Sequence, residues 1–256
     1  MKILLLLITH FLGYFVFQNQ RTLQVKTEKS IYLVRHCIIY SVAMIIPMMI
    51  YGPFLSAAVL LVIVVAAHAV IETAMSILHR HAKNKSIVKR STRLTMFIVS
   101  QVLHISILII CSQYLGDLSI IGERFVGLLN NHLATEQLHN TMVYILLFVI
   151  CLTPAAELIK DFLTLFQDST QENECEPGGS QNNSGYIIGI FERIIILMLG
   201  FSAQIGAIGF VLAAKSLARF KQLENRDFAE KYLLGTLLSV VISLACIVVG
   251  NNLLLK

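Results

Sequence analysis

The sequence predicts an all-α integral membrane protein, a helical bundle of about six to seven transmembrane helices with one amphipathic surface helix. Three observations carry that prediction. Of the 256 residues, 56% are hydrophobic and only 14% charged, with a mean hydropathy of +0.75; a soluble domain carries about 25% charged residues. Several windows reach the roughly 20 apolar residues that a helix needs to cross the hydrocarbon core. The ionisable residues inside those windows recur at helical spacing, as expected for one face of a helix.

Each element follows from the residues in order. Residues 3–17 are apolar after Lys2 and predict a short, retained first span. A signal-peptide core has this length, but His10 interrupts the run and no small-x-small cleavage site follows. Local bilayer thinning or neighbouring helices would mask its shortness. The second span covers about 31–50 and ends at the turn signal Tyr51-Gly52-Pro53. The third covers about 54–78, and the fourth covers about 94–115 and ends at Gly116-Asp117.

Residues 119–138 carry Ile121, Phe125, Leu128, Leu129 and Leu133 at helical spacing, with Glu123, Arg124, Asn130, Asn131 and Glu136 between them. This pattern predicts an amphipathic helix on the membrane surface, or a surface element packed on the bundle. The fifth apolar segment, 141–166, is interrupted by Pro154 and carries Glu157, Lys160 and Asp161 in its second half. Residues 167–185 read as a flexible acidic loop with Asp168, Glu172, Glu174 and Glu176. The sixth span covers about 194–214, with Glu192 and Arg193 before it and Lys215, Arg219 and Lys221 after it; the last covers about 232–250. Residues 1–256 are expected to form a single transmembrane domain.

The net charge of +5 is concentrated in Arg80, Lys83, Lys85, Lys89, Arg90 and Arg93. No aromatic residues interleave this run, so it does not resemble a nucleic-acid surface. It reads as a cytoplasmic loop facing anionic lipid head groups. Putting every Lys/Arg-rich segment on one side leaves an odd number of crossings among the later spans. The conflict disappears if the Pro154 segment is re-entrant, which gives six full crossings with both termini outside. Seven plain crossings, with one violation of the charge rule, are the alternative.

The five cysteines have no metal-clip spacing, and four lie in apolar runs. They are expected to be reduced and to pack as small hydrophobes. Trp is absent, which leaves Tyr to supply any aromatic belt. No internal repeat of the transporter type is evident, and no cofactor or oligomeric state is specified.

Three polar stripes are the candidate site. His10, Tyr14 and Gln18 lie on the first span, His68, Glu72 and His79 on the third, and Ser100, Gln101 and His104 on the fourth. His68 and Glu72 are four apart and face one side of a helix. An ionisable group at membrane depth is costly and is read first as functional. A carboxylate beside an imidazole can relay a proton, share a metal or act as an acid/base pair. It can equally hydrogen-bond neighbouring helices and hold the bundle together. Glu192 completes the candidate polar centre. It and Arg193 point different ways on one helix and need partners elsewhere. Gly206, Ala207, Gly209 and Ala213 make a small-residue face suited to close helix packing, and Lys215 and Arg219 read as interfacial anchors.

Together these motifs resemble an uncharacterised family of bacterial and phage multi-pass membrane proteins, a domain of unknown function. The carriers are His10-Phe11-Leu12-Gly13-Tyr14-Phe15 with Gln18, then His36, His68 to Glu72, and Gln101 with His104. Further on they are Ile188-Gly189, Glu192-Arg193, Ala214-Lys215-Ser216, Arg219-Phe220, Glu230 to Tyr232 and Gly235 to Ser239. The resemblance implies a membrane location, in a bacterial inner membrane, and supplies no reaction. It also implies acids at the positions of Tyr14 and Ser100, aspartate at Glu72 and a lysine near Met75, so this chain departs from the pattern there. Three functions stay open: a path for protons or small ions, a membrane-embedded and metal-dependent enzyme acting on a lipid, and a non-catalytic component that docks a partner.

Overall fold

A computed structural model of the chain describes residues 1–18, 30–84, 90–130, 135–166 and 181–254. The helices are α1 (Lys2–Phe11), α2 (Ser30–Ile50), α3 (Phe54–Asn84), α4 (Arg90–Tyr114), α5 (Ile120–Asn130), α6 (Thr135–Leu163), α7 (Gln181–Phe201), α8 (Ile205–Ala218) and α9 (Arg226–Leu253). A π turn, Leu12–Val16, extends α1. Among the described residues no strand forms; Tyr51 and Leu118 make one isolated antiparallel bridge. Among the described residues five stretches are long and apolar enough to cross a membrane: Ser30–Ile50, Phe54–His81, Ser91–Tyr114, Glu136–Phe166 and Arg226–Leu253. Lys2–Val16 and Ile205–Ala218 are shorter apolar helices.

The chain forms two compact units, Met1–Val149 with Leu254–Lys256, and Ile150–Leu253. In the first unit α1 to α4 close a ring. α1 packs on α2 and α4, and α3 packs on the same two helices. At one end Lys2 Nζ donates to Leu115 O (2.8 Å) and Gly52 N–H to Asp117 O (2.6 Å). Towards this end Leu6, Met44, Met48, Leu60, Leu108 and Leu115 form part of an apolar core.

α3 shows how the bundle is sorted. Its buried residues include Val64, His68 and Glu72, while Val62 and Val70 are 66% and 67% exposed. A water-soluble helix does the reverse. Apolar residues outside and ionisable residues inside are compatible with a membrane protein.

Ser119 fixes the start of α5. Its Oγ accepts from the Gly122 N–H (3.0 Å), an N-cap bond, and donates to Met49 O (2.6 Å). Ser119→Ala is expected to cost about 1 kcal/mol, read as faster amide hydrogen exchange confined to α5. Of the helix expected over 119–138, Ile120–Asn130 form α5 and 135–138 belong to α6; residues 131–134 lie outside the described residues. The expected basic loop is largely helical, since α3 runs on to Asn84 and α4 begins at Arg90; Lys85 and Lys89 lie outside the described residues.

In the second unit two sequence expectations change. Pro154 does not break its segment, because α6 continues through it. Proline has no N–H and leaves an unsatisfied carbonyl one turn earlier. Beside this weak point the buried Arg193 of α7 donates from Nε to Cys151 O (2.8 Å) and from Nη2 to Leu152 O (3.1 Å).

The irregularity lies instead inside the expected span 194–214. α7 stops at Phe201 and α8 starts at Ile205. The Gln204 N–H donates to Leu199 O (2.8 Å) and the Ala203 N–H to Gly200 O (3.1 Å). Ala203 has φ 57°. These are the bonds and the left-handed residue of a Schellman helix stop. The last residues of the expected acidic loop are also helical, because α7 begins at Gln181; residues 167–180 lie outside the described residues.

Candidate functional site

The first unit gathers its polar stripes. α1 supplies His10, the π turn Tyr14, and the residues just beyond it Gln18. α2 supplies His36 and Tyr40, α3 His68 and Glu72, and α4 Ser100, Gln101 and His104. An α-helix drifts about 40° every four residues, which would turn Gln18 away from His10. The wider π turn, closed by the bond from the Phe17 N–H to Leu12 O (2.9 Å), takes up that drift. Gly13 permits the close approach of this turn to α2, where a Cβ would lie 2.9 Å from the Ala43 Cβ.

Glu72 is the central carboxylate and is 3% exposed. The Tyr14 hydroxyl donates to its Oε1 (2.9 Å). His104 Nε2 lies 4.0 Å from the same oxygen, and His36 Nε2 lies 3.8 Å from Oε2. Tautomers follow from the amides. Gln18 Oε1 can only accept, so His36 donates from Nδ1 (2.6 Å), which turns Nε2 toward the carboxylate. Gln101 Oε1 likewise accepts from His10 Nε2 (3.4 Å), and His10 Nδ1 then accepts from the Tyr40 hydroxyl (3.2 Å). His68 stacks on Tyr40 at 3.6 Å between ring centroids and also contacts the His36 and His104 rings.

His10, Gln18, His68, Glu72, Gln101 and His104 therefore meet, together with Tyr14. Glu192 belongs to the second unit, where Lys215 Nζ donates to its Oε2 and to Thr236 Oγ1 (3.0 Å) and sits 5.1 Å from the Tyr232 ring. Lys215 is thus an ion-pair partner and not a free interfacial anchor. Arg193 points elsewhere, to α6 and to Ser239 Oγ (3.3 Å). On the small-residue face, a Cβ added at Gly206 or Gly209 would meet nothing within 4 Å among the described residues. His79 is only half-buried.

Sequence reasoning missed His36 and Tyr40 as members of the cluster. Their i,i+4 spacing was the available signal, hidden by the charged Arg35 beside His36. It also left the acids of α6 unassigned; Glu157 and Asp161 are both buried, with Lys160 Nζ 3.7 Å from Glu157 Oε2. Among the described residues no group of three or more His, Cys, Asp or Glu side chains is placed to hold a metal ion.

Fold and site together define a class: an all-helical protein with apolar outward faces and an ionisable interior. Residues 3–125 match a family model described as a protein of unknown function, DUF3307. That segment contains every residue of the Glu72 cluster. The resemblance motifs from Ile188 onward lie outside the match. No curated protein and no solved structure matches the chain.

Proposed function

We propose that the chain is an integral membrane protein of the bacterial inner membrane whose first unit binds and passes protons at Glu72. One observation carries the reading: both oxygens of a buried carboxylate face imidazole nitrogens, at 3.8 and 4.0 Å. An isolated carboxylate at this depth is costly, and either imidazole can bring the compensating positive charge. His36 Nε2 and Glu72 Oε2 form one exchange step, and Glu72 Oε1 and His104 Nε2 the next. Tyr14 holds Oε1 between them. These separations exceed a direct hydrogen bond, so each step needs one bridging water or a small closure. In the same reading the arginines of 80–93 meet anionic head groups.

The test uses purified protein in liposomes with an internal pH dye and an imposed potassium diffusion potential. Wild-type protein should acidify or alkalinise the lumen according to the sign of the potential. Glu72→Gln, which keeps the shape and accepts the Tyr14 bond, should lower the rate by about tenfold or more. Equal rates in wild type and variant, with the variant folded, would sink the proposal.

A further inference from the structure

We propose that α7 and α8 form a helical hairpin that enters and leaves the membrane by one face, so that 181–224 adds no net crossing. This rests on the membrane reading but not on the Glu72 centre. The turn is a built stop, with its N–H groups satisfied by Leu199 and Gly200 carbonyls and Ala203 held left-handed. The arms then pack on each other. Glu192 and Lys215 lie on opposite arms at similar distances from the turn and pair across it, which sets the arms antiparallel.

Length agrees. α8 has 14 residues, about 21 Å at about 1.5 Å per residue, short of the roughly 30 Å hydrocarbon core. Irregular backbone at membrane depth is tolerated where protein or water covers it. Among the described residues Glu192 Oε1 and Tyr232 Oη are buried with no hydrogen-bond partner, so polar atoms that water could satisfy lie beside the clamp. The hairpin also removes the odd crossing that conflicted with the charge rule, because Lys215, Arg219, Lys221 and Arg226 lie at or just beyond the end of a segment that returns to its own side.

Two measurements test it. With the native cysteines replaced by alanine, Phe166→Cys and Gln222→Cys are labelled singly by a membrane-impermeant maleimide in sealed vesicles of known orientation. Labelling of both from the same side is expected; labelling from opposite sides overturns the hairpin and leaves the membrane reading standing. Extraction of the chain by carbonate overturns both readings. The second measurement is the sign of one substitution. At a left-handed helix stop Ala203→Gly relieves strain and should raise Tm in detergent by about 2–4 °C. In a continuous helix glycine would lower Tm, and that result would refute the turn.

Discussion

Arg193→Met is expected to lower the stability of the second unit by about 3 kcal/mol, measured by thermal unfolding in mild detergent. Hydrogen bonds from a charged donor contribute about 1.5–3 kcal/mol each, and removing a buried charge returns part of that. Arg193 is 2% exposed, and its guanidinium serves Cys151 O, Leu152 O and Ser239 Oγ from three nitrogens. Methionine restores the stem but none of the donors. The carbonyls of the Pro154 turn then lose a partner where the helix already lacks a backbone donor. Arg193→Lys keeps the charge and loses the planar fork, so it should recover less than half of the loss. Amide exchange should rise first around 150–155. A methionine variant as stable as the wild type would show that Arg193 does not support α6.

Gly13→Val is expected to be the most damaging single change in the first unit. Overpacking costs about 1–3 kcal/mol by itself. Here the new side chain would meet Ala43 Cβ and the Tyr40 backbone. Relief requires the π turn to move off α2, and that same movement pulls Tyr14 from Glu72 and Gln18 from His36. Stability and proton transfer should therefore fall together. The paired variant Gly13→Ala with Ala43→Gly exchanges one methyl between the two helices and should recover within about 0.5 kcal/mol of the wild type, since the helix-propensity changes offset. Failure of the pair to recover, with each single variant folded, would place the contact elsewhere.

Much of the candidate site was legible because helical spacing is a local property. His10, Tyr14 and Gln18, or His68 and Glu72, share a face on any helix that contains them. His36 was harder to read, because a lone histidine near the end of a span, beside Arg35, looks interfacial; its burial depends on Gln18 reaching it across two helices. The surroundings of Glu192 were also hidden, because its partner Lys215 becomes a neighbour only when the chain reverses at Ala203. No glycine or proline occupies 202–204, so the sequence carries no local signal for that reversal.

Pro154 is the matching case. Proline usually predicts a break, yet α6 continues through Pro154, and the neighbouring Cys151 and Leu152 carbonyls accept from a distant arginine. Composition and periodicity by themselves determined the helical class, the apolar outward faces and the stripes of ionisable residues, because these depend on residue type and on about 3.6 residues per turn. Only the tertiary structure decided which stripes meet, that Glu72 lies between His36 and His104, and where the late helices bend. Those outcomes depend on side chains far apart in the chain satisfying buried polar groups, and no local window contains that information.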